Sequence, residues 1–218
     1  MTEEHTTGSR KQITAQTWLM ERVRMMPDLL EEAPHWVTTI FDHAWAPMTA
    51  LSNEINHLPS AVWPMLMSFP CGYVYITTDE SEYLPGPGTV RYQRVQNVAR
   101  VSVEDLADEN ERPLHVIGHL IDHHLGCGGQ PEGLWLSEGG GITPQWAQVG
   151  AQLAQLYALG YAPDDVAQSG VRDYFAQSLA LYCRDRSSLN VADPQIEKWL
   201  HNTLWNREFW KSAQGERE

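Results

Sequence analysis

The sequence has little cysteine, little positive charge and no long apolar run. Each shortage excludes something. The three cysteines, Cys71, Cys127 and Cys183, are odd in number and far apart. They make neither a CxxC zinc pair nor a disulfide framework. Fifteen Lys and Arg stand against 28 Asp and Glu, a formal net charge of −13. Such a surface repels phosphate backbones and anionic membranes, so nucleic acid is not an expected partner. No apolar stretch reaches the roughly 18 residues of a membrane span. The opening MTEEHTTGSRKQ is polar and acidic, unlike a signal peptide. Together these features predict a cytoplasmic protein. A G-x-S-x-G elbow, a Walker-type phosphate loop and a dinucleotide fingerprint are also missing.

What the chain does have is core material. Its 218 residues are 42% hydrophobic, with nine Trp and eight Tyr. That composition excludes disorder for most of the length. A chain this long buries roughly 70% of its unfolded surface and needs no staple. A single domain over residues 13–211 is expected, between polar tails at 1–12 and 212–218.

The first part reads as helical. Trp18, Leu19, Val23 and Met26 recur at helical spacing until Pro27 interrupts them. A second helical stretch from Leu29 to Phe41 bends near Pro34, and a third runs from Met48 to Leu58. Gly72 to Thr78 is aromatic and β-branched, hence strand. Asp79 to Gly88 holds two Pro and two Gly and reads as an exposed loop. Thr89–Tyr92 and Val98–Val103 are further strand candidates. A helix is expected from about Leu114 to Leu125, with Gly126 as its C′ residue. Helices from Pro144, from Val171 to Tyr182, and from Pro194 towards Trp210 complete the chain.

Within the helix of residues 114–125, four of the nine histidines fall in ten residues. Even scatter would place about 0.4 there. At about 100° per residue, His119 lies about 40° from His115, Asp122 about −20° and His123 about 80°. These four share one face, and His124 points the other way. Two histidines at i and i+4 can present two imidazoles to one ion. Asp122, almost over His115, is placed to accept the ring N–H that does not face the metal. The bland alternative is a set of hydrogen-bonded core histidines and an ordinary helix acid.

The segment His115-Val-Ile-Gly-His119-Leu-Ile-Asp122 resembles the HExGHxxD helix of lethal-factor-like zinc metallopeptidases, within the zincin group. Downstream, Arg172-Asp-Tyr-Phe-Ala-Gln-Ser-Leu-Ala-Leu-Tyr182 resembles that family's E-x-F-A-E-x-F-A helix. The resemblance covers roughly residues 72–182. It implies an α+β, zincin-like fold with a small mixed sheet, the HxxxH helix, and helical N- and C-terminal parts. It also implies a zinc ion held by His115, His119 and Asp173, with Gln177 as outer support. His123 is an alternative ligand.

Three departures shape the functional expectation. The family's general base, which takes a proton from metal-bound water, falls on Val116, and Val accepts no proton. At position 173 an Asp replaces Glu, shortening the reach by about 1.5 Å. The family's oxyanion-stabilising Tyr has only Tyr161 as a nearby candidate. A displaced base would come from Glu138, Glu132, Glu109 or Glu111. The expectation is a metallopeptidase-like protein that binds zinc and does not cleave peptides, acting on a protein or peptide partner. An active metallohydrolase with a displaced base and a metal-free interaction protein are the alternatives.

Overall fold

The computed structural model describes residues 13–213. The expected tail at 1–12, and residues 214–218 of the tail expected at 212–218, lie outside the described residues. The chain runs α1 (Ala15–Arg22), β1 (Val23–Met25), α2 (Leu29–Glu32), α3 (His35–Ile40), α4 (Ala46–Ile55) and α5 (Val62–Met67). Then follow β2 (Tyr73–Thr77), β3 (Glu82–Val90), β4 (Gln93–Ser102), α6 (Val103–Ala107) and α7 (Arg112–Cys127). After a 3-10 turn at Leu136–Glu138 come α8 (Pro144–Ala158), α9 (Asp165–Gln168) and α10 (Val171–Arg184). The last three are α11 (Arg186–Ala192), α12 (Pro194–Asn202) and α13 (Arg207–Ala213). The molecule is thus mixed α and β, with a small mixed sheet.

The sheet order is β1-β2-β4-β3. β1, β2 and β4 are parallel, and β3 returns antiparallel to β4 along one edge. Two expectations change here. Val23–Met25, read as the end of a helix, pairs with Val74–Ile76 instead. The Pro/Gly segment, read as a loop, is mostly strand β3. Its prolines survive because the strand is an edge and its register shifts between Leu84 and Pro87, so missing N–H donors break no ladder.

Helix α7 lies against the sheet. Leu114, Ile117, Leu120, Ile121 and Leu125 are fully buried and meet Val74, Ile76, Ala99 and Val101 in one core. The helix runs one turn-end further than expected. Its left-handed cap is Gly128, at φ 68°. Gly126 is inside the helix for another reason: a Cβ there would sit 2.2 Å from the Leu136 backbone N. The Gly-rich loop is therefore pressed onto α7. On the far side α10 crosses α7 just as tightly. A Cβ on Gly118 would lie 2.9 Å from Ala176 Cα. α13 extends to the buried Ala213, two residues into the expected tail. α11, capped by Asp185 accepting from the Ser188 N–H, buries only Leu189 and so has no apolar periodicity to predict it. The expected helix from Pro194 to Trp210 is two, α12 and α13. No helix among the described residues is long and apolar enough to cross a membrane.

Candidate metal centre

The crossing of α7 and α10 decides the site. Gly118 stands between His115 and His119, and its missing side chain lets α10 approach. That closeness offsets the short reach of Asp173, which sits in the first turn of α10. A carboxylate there also suits the positive end of the helix. His115 Nε2, His119 Nε2 and Asp173 Oδ1 form a triangle. Its sides are 3.1 Å between the two nitrogens, 3.5 Å from His115 to Asp173 and 3.3 Å from His119 to Asp173. The 54 residues separating His119 from Asp173 in sequence thus close onto one point.

The triangle can be tested against an ion. Tetrahedral coordination at about 2.0–2.1 Å separates neighbouring ligand atoms by about 3.3–3.4 Å. The three sides bracket that value. The tautomer of His115 also fits. Gln177 Nε2 donates to Asp164 Oδ2 at 2.7 Å, which turns Gln177 Oε1 towards His115 Nδ1 at 3.0 Å. Nδ1 must then carry the proton, and the Nε2 lone pair faces the triangle. This cluster can hold a metal ion. His119 is less well supported: its buried Nδ1 has no partner. Burial, followed by the neighbouring His119 imidazole, lowers the His115 pKa to about 4. The hydrogen bond from His119 leads the causes that hold Asp173 below the usual carboxylate range. Each shift favours the ionisation state a metal needs.

The triangle opens into a cleft of about 350 Å³ whose walls include Val116, Tyr83, Trp135, Arg112 and Arg172. A larger groove of about 780 Å³ lies between α8 and α12, and among the described residues no metal-ligating cluster borders it.

Several expected residues fall elsewhere. Asp122 is fully buried, and it does not touch His115. It accepts from the Ser137 N–H at 2.8 Å and the Ser137 hydroxyl at 2.6 Å, so it clamps the Gly-rich loop to α7. Gln177 holds the place expected for Asp122. His123, the alternative ligand, has both ring nitrogens engaged by other residues. Nδ1 accepts from the Tyr83 hydroxyl at 2.7 Å, Nε2–H donates to the Gln130 carbonyl at 3.0 Å, and the ring stacks on Trp135. Tyr161 is exposed and does not line the cleft. Glu138 accepts from the Arg172 Nε–H and the Trp135 N–H and has no oxygen facing the cleft wall. Glu132, Glu109 and Glu111 are also absent from the wall. Val116 does border it, so no base stands at the expected position.

Two functional residues escaped sequence reasoning. Tyr83 comes from a segment read as loop, yet it lies over His119 with rings 6.3 Å apart. Asp164, which orients Gln177, caps a helix of only four residues, too short to show a periodic pattern in the sequence. A scan against protein-family models finds no match, and no curated protein matches the sequence.

Proposed function

We propose that this protein is a zincin-like, metallopeptidase-related zinc protein without proteolytic chemistry, serving in binding or regulation. The carrying observation is the triangle of His115 Nε2, His119 Nε2 and Asp173 Oδ1, whose sides of 3.1, 3.3 and 3.5 Å suit one tetrahedral ion. Two imidazoles and one carboxylate are a known zinc set and leave one position open. The α+β architecture with a mixed sheet beside α7 is compatible with the resemblance to lethal-factor-like peptidases.

When bound, zinc would polarise a carbonyl or acidify a water. Among the described residues, the cleft wall gives that chemistry no free proton acceptor. Val116 occupies the wall where a base belongs. Apart from Asp173, the carboxylate in the wall is Glu82, and it is paired with Arg100. Loss of a general base typically costs about 10² to 10⁴ in rate.

Elemental analysis of untagged protein, followed by zinc titration at pH 7.5, tests the metal. One zinc per chain is expected, and none for His119→Ala. A protease assay on unfolded casein tests the chemistry. The zinc-loaded protein should show no more than trace turnover, and Val116→Glu should raise it to detectable. Robust turnover by the unmodified protein, abolished by chelator, would make it an active hydrolase instead.

A further inference from the structure

We infer that the cleft is a receptor for a small dicarboxylate, one carboxylate taken by the metal's open position and the other by Arg112. This rests on the metal reading above and adds the ligand to it.

The argument starts from the charges in the wall. The cleft is lined by four charged residues: Glu82, Arg112, Arg172 and Asp173. Glu82 is paired with Arg100. Arg172 is doubly held, with Nη2 2.7 Å from Glu138 Oε1 and its guanidinium 4.0 Å over the Trp135 ring. Asp173 belongs to the triangle with the two imidazoles. Among the described residues Arg112 has no ion pair and no side-chain hydrogen bond. A divalent ion beside Asp173 leaves about one net positive charge, and Arg112 adds a second. The chain as a whole carries −13, so this cleft is an electropositive spot on an acidic surface, though acids near Arg112 in the adjoining groove, Glu104, Asp105 and Asp108, moderate it.

Val116 completes the case. It stands on α7 between Arg112 and His119, where a glutamate would repel an incoming anion. An apolar wall there leaves the carboxylate unopposed and suits a short methylene chain.

Size and spacing select the class. Arg112 precedes His115 by three residues on α7, so its anchor lies about 4.5 Å further along the helix axis. Two carboxylates joined by two methylenes bridge a gap of that order. A volume of about 350 Å³ lies at the small end for ligand sites. The guanidinium fork matches a carboxylate through two parallel hydrogen bonds. The same chemistry could come from a free metabolite or from a peptide ending in aspartate, whose C-terminus and side chain form a dicarboxylate.

The test is calorimetry on the zinc-loaded protein, with zinc stoichiometry measured first. Succinate should bind at least tenfold more tightly than acetate and than succinate to zinc-free protein. Arg112→Gln should retain its zinc and lose about tenfold in succinate affinity. A tripeptide ending in Asp that binds more tightly than succinate assigns the ligand to a peptide terminus; weaker binding assigns it to a free small molecule. Either result keeps the dicarboxylate. Equal binding of acetate, succinate and inorganic phosphate, or an Arg112→Gln variant indistinguishable from the parent, would overturn the inference and leave the metal reading standing. Failure to take up zinc would sink both, and it is seen before any succinate is added.

Discussion

Helix α7 carries two pairs of histidines, and they are used in opposite ways. In the second pair, His123 and His124, every ring nitrogen has a protein partner. His123 is held by Tyr83 and Gln130. His124 donates from Nδ1 to the Leu120 carbonyl at 2.8 Å and lies 3.5 Å from the Cys71 thiol at Nε2. In the first pair, His115 and His119, only His115 Nδ1 is held by another residue's neutral group. Two nitrogens face each other beside a carboxylate, and one has no partner at all. Satisfied imidazoles are scaffold; unsatisfied ones at 3.1 Å invite an ion.

The sharpest way to break this contrast is a crossed pair of substitutions. His119→Ala should remove the ion, lowering zinc affinity by more than about 10³-fold as a tetrahedral site becomes two-ligand. Its zinc-free stability should change little. His124→Ala should behave in reverse. It empties a fully buried site and removes the side-chain hydrogen bond to the Leu120 carbonyl and the contact with the Cys71 thiol, both of which keep other partners. A loss of about 2–4 kcal/mol in urea unfolding is expected, with one zinc per folded chain retained. If both variants lose zinc equally, the two pairs are not functionally distinct.

A weaker effect separates them by pH. Burial leads the causes that lower the His124 pKa to about 4, against about 6.5 when unfolded. The sign follows from proton counting. Below about pH 6.5 the unfolded chain takes up a proton that folded His124 refuses until about pH 4. The stabilising contribution is complete above 6.5, falls as pH drops towards 4, and is flat below. Between pH 7.5 and 5 the loss from this group is about 2 kcal/mol. Urea titrations of zinc-free parent and His124→Gln at those two pH values should differ in slope by that amount. Parallel pH dependence in the two proteins would mean that His124 is not held neutral by the fold.

How far the sequence foretold this contrast depends on what a helical projection contains. It gives angle, so it placed His115 and His119 together and sent His124 away. It gives no depth and no partner. Asp122 therefore looked like a support for His115, while in the fold it is buried beneath the Gly-rich loop and holds Ser137. The same projection left His123 a candidate ligand, because Tyr83 and Gln130 come from other elements. Elements with strong periodicity, α7 and α8, were legible, as was the convergence of Asp173 implied by the family resemblance. The Pro/Gly composition of β3 concealed a strand because pairing to β4, a tertiary event, overrides local turn preference. With β3 hidden, Tyr83 was hidden too.

The smallest expected effect probes why the first pair works at all. His115 has an outer support and His119 has none, so the site's affinity should lean on Gln177. Its Oε1 accepts the His115 Nδ1–H at 3.0 Å, and its Nε2 is turned away by Asp164 at 2.7 Å. Removing such a support typically weakens metal binding by about 10- to 100-fold. Gln177→Leu is the suitable change, since the residue is buried and Leu preserves its volume without an acceptor. Freed of its bond, the His115 ring can adopt the other tautomer and withdraw its Nε2 lone pair from the triangle. Competition against a fluorescent chelator should show the loss, with urea unfolding of the zinc-free variant confirming an intact fold. Zinc binding unchanged by Gln177→Leu would mean that the ion is placed by His119 and Asp173 alone. The better-supported histidine would then be the less important one, and the contrast between the two pairs would have to be drawn from burial rather than from hydrogen bonding.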